Sequence, residues 1–253
     1  MGEATEKMIQ NAQNVSVVLE RLDGELKNQS LLWKYFHLRP TSKGVTIVSH
    51  HPLAPMRGIK RTASTLKDTL LGLDEHLSAL ADDADGEKVY HVLDHFKFKR
   101  RGNPNKLEEN IQAAFIFGMI SHGPEYEGIQ FLASELIILD KNASKQNRFD
   151  VVGYKDHILY IFELKRGYDT EIYQQINRYR THFESHCQEF KRLLAAYPRT
   201  ACLEAVEKIE AVKYIAVMDE ARLSSCDWTE KTKTAGADLW LFRPGLTFHK
   251  FKV

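Results

Sequence analysis

The stretch Arg148-Phe149-Asp150-Val151-Val152-Gly153-Tyr154-Lys155-Asp156-His157-Ile158-Leu159-Tyr160-Ile161-Phe162-Glu163-Leu164-Lys165-Arg166-Gly167 carries two apolar runs on either side of a polar Lys155-Asp156 turn. That is the pattern of a β-hairpin. Side chains alternate faces along a strand, so Glu163 and Lys165 project from one face and Leu164 from the other. Both charges interrupt an otherwise apolar strand, where an ion without a partner is costly. A turn centred on Lys155-Asp156 pairs residues whose numbers sum to about 311 or 313. Asp150 then lies opposite Ile161 to Glu163, within diagonal reach of Glu163.

Two carboxylates that close repel each other, and one takes up a proton unless a cation lies between them. Oxygen ligands at this spacing suit a hard cation, Mg²⁺ or Mn²⁺. Such an ion takes one or two carboxylates and completes its shell with water and phosphate oxygens. Lys165 is then placed to orient or deprotonate an attacking water, or to stabilise a pentavalent phosphorane. The plainer reading of the same residues is a surface ion pair, Glu163 with Lys165 or Asp150 with Arg148.

Moving outward, Asp169 or Thr170 can cap a helix. Apolar spacing continues it through Ile172, Ile176, Tyr179, Phe183, Cys187, Phe190, Leu194 and Tyr197 up to Pro198. Gln175 and Tyr179, four residues apart, share a face directed at the strands, and His182 and His186 continue that ridge. Upstream, a helix from about Lys106 to Ser121 buries Leu107, Ile111, Ala114, Phe115 and Gly118. Glu108 sits at the edge of this buried face and Glu109 points into solvent. Leu132 to Leu139 reads as a strand. Downstream come a helix from about Cys202 to Glu210, a strand from Val212 to Met218, and final strands over Leu239–Phe242 and Thr247–Phe251. The order is helix, strand, hairpin, helix, helix, strand, an α/β layout.

Taken together, Asp150, Glu163-Leu164-Lys165 and Gln175-Ile176-Asn177-Arg178-Tyr179 resemble the active-site set of the PD-(D/E)xK nuclease superfamily, in its RecB-like branch. Glu108 matches the acidic residue often found on the preceding helix, with Glu109 second, and Arg148-x-Asp150 is similar to the Arg-x-Asp that often opens the hairpin. Phe149 stands where the family name has Pro. The resemblance covers about Asn105 to Asp219. It implies a restriction-endonuclease-like core in the order αβββαβ, a central mixed sheet flanked by helices. It also implies metal-dependent hydrolysis of phosphodiester bonds in nucleic acid, with DNA the expected substrate. Asp150 and Glu163 would be metal ligands with the Leu164 carbonyl, Glu108 would act directly or through water, and Lys165 would activate water. Gln175 and Tyr179 would orient Lys165 or contact phosphate. Lys99, Arg100, Arg101, Lys106, Arg166 and Arg178 would hold backbone phosphates.

The N-terminal region is expected to be a mostly helical α/β accessory region, residues 1–103, ahead of a nuclease-like domain at 104–253. Met8, Ala12, Val15, Leu19, Leu22 and Leu26 mark a helix from about Ala4 to Lys27. A second helix runs through Leu66, Leu70, Leu73, Leu77 and Leu80. Gly44–Ser49 and Lys88–Leu93 read as strands. The basic run Lys97–Lys106 ends in Gly, Pro and Asn, residues that punctuate structure, and marks the boundary. The two helical stripes pack into a core or serve a homodimer or protein partner.

The chain has 253 residues, 35 Lys+Arg against 34 Asp+Glu, 43% hydrophobic and 27% charged. This excludes a disordered acidic chain, a collagen-like chain, a disulfide-stapled miniprotein and a protein that coats nucleic acid by bulk charge. Apolar runs fall short of the roughly 20 residues of a membrane span, and the N-terminus lacks the pattern of a secretory signal. A cytoplasmic protein with no membrane partner is therefore expected. Cys187, Cys202 and Cys226 are too widely spaced for a zinc site and read as reduced thiols. His50-His51, beside Pro52, reads as an exposed loop pair. Two other readings stand beside the nuclease: an inactive nuclease-fold protein binding nucleic acid or a partner, and an adaptor organised by the N-terminal helices.

Overall fold

The computed structural model describes residues 2–51, 57–77, 87–99, 106–138, 147–166, 171–197, 208–221 and 228–251. The chain divides into two compact units. The first comprises residues 1–117 with 196–200, and the second 118–195 with 201–253. Among the described residues, no helix is long and apolar enough to cross a membrane.

The first unit contains α1 (Glu3–Leu22), α2 (Gln29–Tyr35), β1 (Phe36–Thr41), β2 (Gly44–Ser49), β3 (Gly58–Arg61), α3 (Ala63–Leu77), α4 (Glu87–His95) and most of α5 (Lys106–Ile120). Its sheet is antiparallel in the order β1-β2-β3. Leu22, Leu32, Phe36, Ile47, Leu66, Leu70 and Leu73 form its dry centre. The first helix stops at Leu22, not Lys27, because Gly24 turns the chain at φ +82°, a conformation that costs glycine little. Buried Asp74 then accepts from the Lys27 and Asn28 backbone N–H groups at 2.8 and 2.7 Å, fixing the start of α2. Lys88–Leu93 is helical, not a strand: it lies within α4, where Val92 and Leu93 are buried. Their offset from Phe96 fits a 3.6-residue turn. Leu80 and residues 100–105 of the basic run lie outside the described residues.

The second unit is built on a six-stranded mixed sheet, β4 (Gln130–Ile137), β5 (Arg148–Lys155), β6 (Ile158–Leu164), β7 (Ala211–Asp219), β8 (Asp238–Arg243) and β9 (Thr247–Phe251), in that spatial order. Strands β4 to β6 are antiparallel, β6 to β8 parallel, and β9 antiparallel to β8. The helices are α6 (Ile172–Ser185), α7 (Cys187–Ala196) and α8 (Trp228–Ala235). The chain is thus α/β, with helices, a mixed six-stranded sheet and a small antiparallel sheet among the described residues. The helix expected to run unbroken to Pro198 stops at Ser185. His186 leaves helical geometry (φ −127°, ψ 27°) while its N–H still reaches the His182 and Phe183 carbonyls. Phe183 and Phe190 stay stacked across the break at 5.3 Å. The Asp169 and Thr170 caps, Leu139, Cys202, Cys226 and most of the 202–210 helix fall outside the described residues, and Glu171 is the observed N-cap.

Candidate active site

The hairpin turn is Asp156-His157, one residue later than expected, and both residues have positive φ (49° and 64°), as a two-residue type I′ loop requires. Lys155 therefore pairs with Ile158 and Val151 with Phe162. Continuing this register sets Asp150 level with Glu163. The Asp150 Oδ2 accepts from the Leu164 backbone N–H at 3.0 Å. Strand β7 locks the other side of β6: Glu163 pairs with Ala216, and the Lys165 N–H donates to the Val217 carbonyl at 2.9 Å. The Glu-x-Lys step thus lies in the middle of the sheet, where Glu163 is 1% exposed.

Helix α6 delivers the other side chains. Its inner stripe, Ile172, Ile176, Tyr179 and Phe183, is buried. Tyr179 meets the Phe149 ring edge-on at 4.8 Å. Its hydroxyl accepts from Gln175 Nε2 at 2.7 Å and shares its single proton between two acceptors, Glu163 Oε2 at 2.7 Å and the Arg148 carbonyl. Lys165 Nζ sits 2.7 Å from Glu163 Oε1 with its side chain 20% exposed. Tyr179 and Gln175 therefore act on Glu163, and Glu163 on Lys165.

Burial and the neighbouring Asp150 carboxylate hold the Glu163 carboxyl well above the ordinary range; Lys165 and Tyr179 offset part of this. Burial also raises Asp150, opposed by the Leu164 N–H, Lys165, hydrogen bonding with Glu163, and Arg148. Two carboxyls this close share a proton when no cation separates them. Among the described residues, no group of three or more His, Cys, Asp or Glu side chains is arranged to hold a metal. Two convergent carboxylates are nonetheless a donor set that fits Mg²⁺, which keeps several waters and takes one or two carboxylates plus phosphate oxygens.

Five expected residues, Asp150, Glu163, Lys165, Gln175 and Tyr179, come together in the second unit, with Leu164 between the two charges. Glu108 and Glu109 lie on the α5 turn in the first unit. Glu109 is half-buried rather than solvated; Ile111, Gln112, Ala113, Phe115, Ile116 and Met119 are buried around most of α5, so its face is partly covered. Lys99 is exposed and bridges to Gly58 in the first unit. Arg100 and Arg101 lie outside the described residues, as does the Lys106 side chain. Arg166 and Arg178 are exposed in the second unit. Arg178 lines an open groove of about 720 Å³ along α6, with Asn147, Gln174, Asn177, Thr181, His182, Ser185 and His186.

One residue was missed. Glu135 on β4 is buried (8% exposed), has φ +49°, and pairs with Arg148 at 3.4 Å. A lone acid inside the apolar run Leu132–Leu139 was the available signal.

His50 is also not the exposed loop residue expected. It is fully buried, with Nδ1 3.1 Å from His37 Nδ1 and Nε2 2.6 Å from the Lys34 carbonyl. A carbonyl only accepts, so His50 Nε2 carries the hydrogen and its Nδ1 accepts from His37. Burial lowers the His50 pKa to about 3 and the His37 pKa well below its usual value.

Comparisons with protein-family models, curated proteins and solved structures return no match to the chain.

Proposed function

We propose that the protein is a metal-dependent nuclease of the PD-(D/E)xK type, hydrolysing phosphodiester bonds in nucleic acid, with DNA as its main substrate. The observation that carries this reading is the convergence of Asp150, Glu163 and Lys165 on one sheet face, held from behind by Tyr179 and Gln175. The order β4–β6, α6–α7, β7 within the mixed-sheet unit supports a restriction-endonuclease-like core.

Asp150 and Glu163 would hold Mg²⁺ or Mn²⁺ together with the Leu164 carbonyl. Bound there, the ion would lower the pKa of water and screen charge on the phosphoryl group. The chain's own residues do the rest. Leu164 N–H fixes one Asp150 oxygen and leaves the other for the ion. Tyr179 fixes Glu163 Oε2. Lys165, with one end at Glu163 and partial exposure, orients the attacking water or meets the charge that grows on phosphorus-bound oxygen. Arg166 and Arg178 would hold flanking phosphates. The proposal rests on the second unit alone.

The test is cleavage of linear, circular, single- and double-stranded DNA and of RNA by purified protein with Mg²⁺ or Mn²⁺. Cleavage that needs the metal and disappears in Glu163→Ala and Lys165→Ala supports the reading. Intact protein that binds nucleic acid without cleaving it supports the inactive, binding member of this fold instead.

A further inference from the structure

Glu135 and Arg148 form a second charged pair on the same sheet face as the candidate site, and the register explains why. Ser134 pairs with Val151 and Leu136 with Phe149, so Glu135 lies level with Asp150, as Asp150 lies level with Glu163. Three neighbouring strands thus carry an acid in one row. Each end of the row has its own cation: Lys165 at Glu163, and Arg148 at Glu135. Arg148 and Asp150, two apart on β5, project from the same face.

The pair is poorly designed for stability alone. Glu135 is 7% exposed in its side chain, whereas Arg148 is 49% exposed, and their 3.4 Å contact is longer than a bidentate ion pair. Ion pairs of this kind contribute little, and a buried acid is costly to desolvate. A non-glycine residue at φ +49° inside a strand is strained, and such strain collects where it serves a site. What the arrangement delivers is a guanidinium fixed at one end by a buried acid and open to solvent beside Asp150. Asn147, the residue before it, lines the groove that also holds Arg178. A guanidinium fork matches two phosphate oxygens, which a lysine does not.

We propose that Arg148 grips the phosphate that reacts and that Glu135 is the positioning residue behind it. This rests on the site being a phosphodiester hydrolase. In the reaction, Arg148 donates to the non-bridging oxygens, where negative charge grows as the bond from water to phosphorus forms and the bond to the leaving oxygen breaks; the proton that water loses passes to solvent, and solvent returns one to the leaving oxygen.

Binding and cleavage separate the two claims. Binding of labelled DNA and RNA oligonucleotides by the full-length protein is measured in EDTA across a salt series. Arg148→Ala is expected to reduce the log–log salt slope by about one, while Glu135→Gln keeps the wild-type slope. With Mg²⁺, Arg148→Lys is expected to lower kcat about a hundredfold with a smaller change in KM. Glu135→Gln lowers kcat about tenfold, and combining it with Arg148→Ala adds no further loss. An Arg148→Ala protein with wild-type slope overturns the grip. A Glu135→Gln loss that adds fully to that of Arg148→Ala overturns the positioning role. Protein that binds but does not cleave refutes the hydrolase reading, and the slope still decides whether Arg148 holds phosphate. A wild-type protein that binds no nucleic acid overturns the proposal.

Discussion

Tyr179 is the residue on which the site turns, because one hydroxyl joins Glu163, Gln175 and the Arg148 carbonyl. Tyr179→Phe keeps the ring against Phe149 but strands buried polar partners. Urea unfolding should show a loss of about 1–3 kcal/mol, and cleavage should fall with it. The histidine pair gives a pH prediction in the first unit. The folded His50 pKa is depressed to about 3 from 6.5, so the unfolded chain takes the proton first. Stability present at pH 7 is therefore lost as pH falls below about 6.5, at about 1.4 kcal/mol per unit from this one group. Hydrogen exchange of the β1 and β2 amides at pH 7 and pH 5, in wild type and His50→Asn, would measure it; the variant should lose one proton's share of the slope. An unchanged slope would contradict the burial argument. Asp150, Glu163 and Lys165 were legible from sequence because strand alternation and a two-residue turn are local rules. Glu135 was not, because its place depends on pairing with a strand beyond residues 139–146, a register that no local turn rule sets.

At the scale of elements, long amphipathic stretches and apolar strands were readable and short or interrupted ones were not. Strand β1 contains His37, Arg39 and Pro40, and proline is tolerated there because β1 is the edge of its sheet. Nothing in its hydrophobic pattern announces a strand. Helix α4 was misread because a short apolar run does not separate a strand from a helix by period alone. The α6–α7 break was invisible because Phe183 and Phe190 keep helical spacing across it. Close approach packs the end of α5 against the Pro124–Tyr126 turn. A Cβ on Gly118 would meet the Tyr126 ring and hydroxyl at 2.6–2.9 Å, and Tyr126 is 1% exposed. Gly118→Ala should therefore destabilise the second unit by about 1–3 kcal/mol by overpacking, read as a lower urea midpoint. A wild-type midpoint would mean that the Tyr126 ring can give way.

Over the whole molecule, 35 basic and 34 acidic residues leave no bulk attraction for a polyanion. On the proposed nuclease reading, affinity for nucleic acid would come from local placement, such as Arg166, Arg178 and the polar groove along α6. Arg178→Ala is expected to lower the salt slope of binding by about one without changing the urea midpoint; an unchanged slope would remove the groove from the binding path. The N-terminal stripes and the candidate-site pattern occupy different stretches of the sequence. The placement of Ala196 and Tyr197 with the first unit has no signal there, because it depends on contacts distant in sequence. The nuclease reading turns on one comparison: DNA cleavage with Mg²⁺ by wild type, Glu163→Ala and Lys165→Ala, each shown by circular dichroism to be folded. Wild type is expected to cut and to stop in EDTA, and neither variant is expected to cut. Cleavage surviving in either folded variant would mean that Glu163 and Lys165 are not the reacting site.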